Sequence, residues 1–286
     1  MQLNCAMLRC MTQLDAAAAT DFDRTTALRP MDGDGPDGVT ARFAVDLDAS
    51  WSSLIGIHGG YLVAIAVRGA ERMATGRGVR TATTSFLRAG QIGPARLEVG
   101  EIRRSRSLST VVADLFQDDQ LVTTSRITLA EERSGVEWSS PVPLPVPPPE
   151  DCVPVEPPHR VEHLLRVDAR LDPASLPFTA GPQAVIRGHI RPFGTPRVDA
   201  AWLAMAADWF PPPAFVRVDP PTGGVSIDLT THLHQPQVDL AEDEWLAGEF
   251  EIVTSTGGLA LEHGRIARRD GTLVSESFQT RWTAEG

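Results

Sequence analysis

Lysine is missing from all 286 residues; each of the 26 basic side chains is arginine. That absence excludes Schiff-base chemistry and a phosphate-binding P-loop lysine. Cysteine is nearly as scarce. Cys5, Cys10 and Cys152 make no disulfide framework and no C-x-x-C pair, so a stapled secreted scaffold is not expected. Positive charge is also short, with 37 acidic residues and a net charge of −11. An acidic chain is a poor partner for nucleic acid, where affinity comes mostly from neutralised phosphates. Long apolar runs are missing too. The uncharged stretch Trp51–Val67 falls short of the roughly 20 residues that cross a bilayer. It carries His58-Gly59-Gly60 at its centre and reads as core. The chain start has no basic region followed by a long apolar run, so no signal peptide is expected, and Met11 would serve equally well as the first residue. A soluble, reduced, cytoplasmic protein with no membrane or nucleic-acid partner is the expectation.

What is present suits a globular enzyme. Hydrophobic residues make up 42% and charged residues 22%, enough apolar surface for a core and too little charge for a disordered chain. Proline is concentrated in Ser139–His159, SSPVPLPVPPPEDCVPVEPPH. At that density it removes backbone donors and favours an extended spacer. The chain therefore divides into an N-terminal extension with a disordered start (1–37), a first half (38–138), a proline-rich linker (139–159) and a second half (160–286).

Each half has the same order of elements. In the first, Gly38–Asp48 alternates as a strand, and Gly59–Ala74 places Leu62, Ile65, Ala66, Gly69, Ala70 and Met73 at helical spacing. Strands are predicted over Arg80–Leu87, Ala95–Arg103, Ser109–Gln117 and Gln120–Leu129, with Asp118-Asp119 as a hairpin turn. In the second, Gln183–His189 is a strand and Val198–Asp208 a helix stopped by Pro211-Pro212-Pro213. Strands follow over Val225–His234, Glu244–Thr254, Leu259–Arg268 and Thr272–Trp282, with turns at Gly257-Gly258 and Asp270-Gly271. The halves match in three co-linear segments. TTSFL at 83–87 lies against LTTHL at 229–233, an offset of about 147; RLEVGEI at 96–102 lies against WLAGEFE at 245–251; DDQLVTTSRITL at 118–129 lies against DGTLVSESFQTRW at 270–282. Such a repeat predicts an α+β fold in which each half wraps an antiparallel meander around one long central helix.

Two places carry chemistry on their residues alone. Gly59-Gly60 stands just before an apolar helix, where unpaired N–H groups and the positive helix end could face a developing oxyanion; a tight strand-to-helix turn is the plainer reading. His58 reads equally well as a hydrogen-bonder at the helix start. Asp208 ends the apolar stretch AAWLAMAAD, where the helix dipole disfavours a carboxylate. It is either a general base for water or a solvated helix end.

The order of elements resembles the hotdog fold, and two copies in one chain resemble the double-hotdog acyl-CoA thioesterases, including thioesterase II and its actinobacterial-type relatives. Trp51–Met73, WSSLIGIHGGYLVAIAVRGAERM, is similar to that family's first-helix signature, and GRIARRDGTLVSESFQTRW at 264–282 to its C-terminal one. The resemblance implies a tandem hotdog that hydrolyses an acyl-CoA substrate with no cofactor, and further pairing into a homo-oligomer. By the same resemblance Asp208 is the base, and Ser226, at the family's Thr position, orients the attacking water together with Gln279. Gly59 and Gly60, with His58 beside them, receive the thioester carbonyl. Should the alignment slip, Thr230 or Thr231 takes the place of Ser226.

Other signals are weaker. Gly224-Val225-Ser226-Ile227-Asp228 lacks the last glycine of a nucleophile elbow, and Gly76-Arg77-Gly78 lacks the third glycine and the preceding strand of a dinucleotide loop. His232, His234 and His263 have no carboxylate at ligand spacing, so no metal is expected. Arg103, Arg104 and Arg106 either meet coenzyme A phosphates or form a solvated turn. Alternative functions are a non-catalytic acyl or acyl-CoA binder and a hotdog enoyl-CoA hydratase or dehydratase, though the D-x-N-P-x-H that such enzymes carry at the helix entry is absent.

Overall fold

The computed structural model describes residues 21–31, 40–136, 138–156, 161–193, 197–217 and 224–283. In the first half β1 (Arg29–Pro30) and β2 (Ala41–Leu47) precede α1 (Gly59–Met73), followed by β3 (Gly78–Phe86), β4 (Gly93–Arg104), β5 (Leu108–Gln117) and β6 (Gln120–Ala130). The second half contains β7 (Val153–Pro154), β8 (Asp168–Leu171), β9 (Ala184–Arg191), β10 (Arg197–Asp199) and α2 (Ala200–Ala206). It continues with β11 (Val225–Leu233), β12 (Gln237–Asp239), β13 (Leu246–Thr256), β14 (Leu259–Ala267) and β15 (Leu273–Trp282).

Thirteen strands form one sheet in the order β1-β2-β4-β5-β6-β3-β11-β15-β14-β13-β9-β8-β7. Only part of each half is a meander. The strand after the helix, β3, crosses to the far side of β6 and meets β11 of the other half, so the expected pair of sheets is a single one. At this seam Thr83 lies opposite Thr230, Thr84 opposite Leu229 and Ala82 opposite Thr231. These pairs are what a two-fold axis through Thr83 and Thr230 requires of the repeat, and the Thr230 hydroxyl donates to that of Thr83 at 3.2 Å.

Helix α1 is buried along most of its length. Residues from Gly60 to Val67, with Gly69 and Ala70, are shielded, which removes about 1.5–3 kcal/mol of exposure cost for each large apolar side chain. His58 caps it, Nδ1 accepting from the Tyr61 N–H at 3.3 Å. Helix α2 is much shorter than the expected 198–208. Asp199 caps it by accepting from the Trp202 N–H at 2.9 Å, and Val198 belongs instead to β10. The two helices pack with each start beside the other's later residues. Arg68 of α1 reaches Asp199 at 2.7 Å, and Asp208, just past α2, reaches Gly60.

Two expectations are corrected. The extension over 1–37, with Met11, lies partly outside the described residues, as do Gly38 and Val39, but its described portion is part of the core. Residues 21–25 form a helical turn, Leu28 is buried, and Thr25 accepts from Trp51 Nε1 at 3.0 Å and, through its carbonyl, from the Tyr61 hydroxyl at 2.7 Å. Buried indole N–H and phenol O–H groups need partners, and this segment supplies them. The proline-rich segment is likewise no free spacer. Val153–Pro154 pairs with β8, and the Pro147 carbonyl is 2.7 Å from His189 Nε2. Among the described residues no helix is long and apolar enough to cross a membrane.

Candidate active site

The site forms where the start of α1 meets the end of α2 and the neighbouring strands β11, β15 and β14. Asp208 is 8% exposed. Its Oδ2 accepts from the Gly60 N–H at 2.9 Å, and its Oδ1 from Gln279 Nε2 at 2.7 Å. The dipole conflict at the C-terminal end of α2 is thus offset by a favourable position at the N-terminus of α1. The glycines are needed for this approach rather than for a turn. A Cβ on Gly59 would stand 2.7 Å from Asp208 Oδ2, and one on Gly60 2.5 Å from the Met205 carbonyl oxygen. The Gly60 N–H therefore points at the carboxylate and not into open space.

The three residues expected to share the water meet here. Gln279 Nε2 also donates to Ser226 Oγ at 2.6 Å, so both amide protons are taken and neither is left for water. Ser226 Oγ lies 3.5 Å from Asp208 Oδ1. Thr230 and Thr231 are elsewhere: Thr230 bonds across the seam, and Thr231 Oγ1 is buried without a hydrogen-bond partner.

Three residues that the sequence did not single out complete the site. Arg281, two places beyond Gln279 on the same strand face, is buried. It donates to Gln279 Oε1 at 2.8 Å, Ser226 Oγ at 3.2 Å, Asp208 Oδ1 at 3.3 Å and the Gly224 carbonyl at 3.0 Å. Its Nε donates to buried Glu262 Oε2 at 2.6 Å, and β14–β15 pairing sets Glu262 opposite Gln279. The period-2 spacing of Gln279 and Arg281 was a usable signal for the first; Glu262 needed the strand register. His163 stacks on His58, with ring centroids 4.3 Å apart, and has no sequence signature.

Charge at the site follows from burial and this network. Burial drives Asp208 toward the neutral form, but the attraction of His58 at acid pH, where its ring is protonated, the charge of Arg281 and the hydrogen bonds from Gln279 and Gly60 outweigh it and hold the carboxyl below its ordinary value. Burial lowers His58 more than Asp208 raises it, and burial, with His58 adding, takes His163 down to about 3. Arg281 is therefore the lasting cation near neutral pH. With Nδ1 accepting from Tyr61, neutral His58 carries its proton on Nε2 and donates it to the Asp208 carbonyl oxygen at 3.0 Å. Glu262 is raised by burial, against the pull of Arg281.

A cavity of about 990 Å³ opens onto these groups. Apolar walls come from Ile57, Leu62, Phe86, Trp209 and Phe210, and Val153 to Val155 close one side. Arg88 and Arg281 are its lining arginines. Arg103, Arg104 and Arg106 are at the β4–β5 turn. Pairing sets that turn beside Ala130 and Gly78, at the opposite end of β3 from the cavity residue Phe86, which fits a solvated turn. His234 and His263 both approach Glu276, at 3.1 and 3.4 Å; among the described residues no group of three or more side chains could hold a metal ion.

Comparison with known proteins agrees along the chain. The family model for the acyl-CoA thioesterase N-terminal domain matches residues 47–130, and that for the acyl-CoA thioesterase C-terminal domain matches residues 149–282. An uncharacterized protein of Mycobacterium tuberculosis is 26% identical over 253 residues, covering 79% of this chain and 85% of that one. A hotdog-fold protein of unknown function from Alicyclobacillus acidocaldarius superposes with a TM-score of 0.81 at 21% identity, covering 93% of this chain and 98% of that chain. An acyl-CoA thioesterase II from Mycobacterium marinum superposes at 0.71 with 18% identity, covering 93% and 98%. These superpositions establish a hotdog fold.

Proposed function

The chain belongs to the acyl-CoA thioesterase family, and on that premise we propose that it hydrolyses an acyl-CoA thioester with a water activated by Asp208. The observation that carries this reading is that Asp208 and Ser226 stand together at the wall of one largely apolar cavity, joined by the amide of buried Gln279. Oδ1 of Asp208 is filled by Gln279 and Arg281. Oδ2 has one short partner, the Gly60 N–H, and keeps a lone pair. The water gives its proton to Oδ2 and is held by the Ser226 hydroxyl. Its oxygen adds to the thioester carbon; collapse of the tetrahedral intermediate breaks the carbon–sulfur bond, the proton on Asp208 passes to the leaving sulfur, and acid and thiol are released with the carboxylate restored. The developing oxyanion faces the positive start of α1, where the Gly59 N–H is the donor that Asp208 does not occupy. His58 and Gln279 hold the base rather than the water. General-base catalysis of this kind contributes about 10²–10⁴-fold and one oxyanion donor about 10²–10³-fold.

The test is thiol release, read with a disulfide indicator, from short to long acyl-CoAs by wild type and Asp208→Asn. Release that depends on Asp208 supports the reading; a folded wild type that binds the panel without releasing thiol, or that hydrates an enoyl-CoA, overturns it. We read the halves as tandem hotdogs divided near the proline-rich segment, supported by the two-fold pairing of Thr83 and Thr230. Self-association is supported by Leu261, Phe278 and Trp282, exposed on the second half; light scattering reads it directly.

A further inference from the structure

We propose that Arg281 and Glu262 are a positioning pair that fixes the hydrogen-bond directions of Gln279 and Ser226 beside the attacking water. The inference rests on the hydrolytic reading and deepens it.

A glutamine amide can be flipped, and a serine hydroxyl can donate or accept. Neither freedom survives here. Arg281 has donors only, so the Gln279 atom 2.8 Å from it must be the oxygen. That puts the amide nitrogen toward Asp208 and Ser226, at 2.7 and 2.6 Å. The flipped amide would set its oxygen against a carboxylate and a guanidinium against an amine. Ser226 Oγ then accepts from Gln279 and from Arg281 at 3.2 Å. Both lone pairs are used, and only its proton is left to offer. That proton is directed at Asp208 Oδ1 over a long 3.5 Å, a weak bond that a ligand in the cavity, which Ser226 lines, can replace. Ser226 is thereby a donor, as holding a water by its oxygen requires.

Glu262 in turn holds the guanidinium. It takes Nε at 2.6 Å and a second N–H at 3.3 Å, a two-point contact that a planar fork satisfies and an ammonium does not. Arg281 is otherwise committed to Gly224, Ser226, Gln279 and Asp208. The charged and titratable groups that face Asp208 are His58 before α1, His163 beside it, Arg281 on β15 and, behind Arg281, Glu262 on β14. Asp208 and Glu262 thus share Arg281, one terminal nitrogen donating to both at 3.3 Å. The two members of the pair have opposite electrostatic effects on the base: Arg281 favours its ionised form, and Glu262 opposes it.

That opposition provides a test that a purely structural role does not pass. Thiol release is measured from pH 3.5 to 8 for wild type, Arg281→Met and Glu262→Gln, with folding followed by circular dichroism at each pH. Arg281→Met is expected to lower kcat on the order of 10²-fold through lost positioning, with KM within about threefold. Its activity should fall off at a pH higher than that of wild type by about one unit, since a neighbouring cation typically lowers a carboxyl by that much or more. Glu262→Gln is expected to show no upward move. An Arg281→Met profile that coincides with wild type, or an upward move in both variants, overturns the proposal. Should Arg281→Met fail to fold, Arg281→Lys keeps the charge and removes the fork. It is expected to lose activity with the acid limb unmoved, and wild-type kcat in that variant overturns the proposal. Activity independent of Asp208 would sink the hydrolytic reading itself, whereas Asp208-dependent activity with an indifferent Arg281 would sink this inference alone.

Discussion

Asp208 is adverse at one helix end and favourable at another, and the sequence displays only the adverse half. Its position after α2 was legible, as were the Gly59-Gly60 pair and Gln279, because local spacing and a family signature pointed to them. Their connections were not. That the Gly60 N–H binds the carboxylate follows from how the helices cross, which no local pattern encodes. Asp208→Asn is expected to reduce thiol release by about 10²–10⁴-fold and also to lower the melting temperature, since its amide nitrogen would face donors that the carboxylate accepts from on both oxygens, as parallel kinetics and thermal melts would show. Gly59→Ala should lower kcat on the order of 10²-fold, since its Cβ would fall 2.7 Å from Oδ2; unchanged kcat would mean that Asp208 can withdraw without consequence. Because the folded-state pKa of Asp208 is depressed, the base stays ionised below the ordinary carboxyl range. The acid limb of kcat should therefore lie below about pH 3.9, provided the fold persists there.

Elements were read well where periodicity was strong and poorly where long-range partners decide. Helix α1 and strands β4, β5 and β6 were found within a few residues, since alternation and the Asp118-Asp119 turn, both at positive φ, are local. The N-terminal segment was missed because its purpose lies in Trp51 and Tyr61, distant in sequence. Deleting residues through 31 would leave the buried indole N–H and phenol O–H unpaired at about 1–3 kcal/mol each. The expected fall in melting temperature is at least about 5 °C, measurable by scanning calorimetry. His163 ties the segment after the proline-rich stretch to the start of α1. Its imidazole ionises near 6.5 when unfolded and only near 3 when folded. The stability it contributes is therefore full above about pH 6.5 and lost progressively as pH falls toward the folded value. His163→Phe keeps a stacking ring and removes the titration. Between pH 6 and 4.5, the unfolding free energy of that variant, from urea titrations, should decline less steeply, by up to about 1.4 kcal/mol per pH unit.

At the scale of the whole molecule the repeat predicts two of everything, and among the described residues the two central helices cross at two points and thirteen strands share one sheet, with β10 and β12 pairing apart from it. The repeat was legible, but the fusion of both halves into one sheet was not, because the place of β3 depends on a partner strand more than a hundred residues away. The two crossing points have diverged. At the start of α1 a carboxylate meets a glycine N–H; at the start of α2 Arg68 is paired with Asp199 at 2.7 Å, which leaves no free base. Calorimetric titration with a thioether analogue of acyl-CoA should accordingly saturate at one ligand per chain, and two equal sites would contradict this account. The seam through Thr83 and Thr230 has a kinetic consequence. The first half supplies Gly59 and Gly60, the second supplies Asp208, Ser226 and Gln279, and what joins them in space is strand pairing rather than the peptide bonds of residues 131–138. Cutting the chain there would turn a unimolecular assembly into a bimolecular one: specific activity would become dilution-dependent, and each fragment would restore function to the other by mass action.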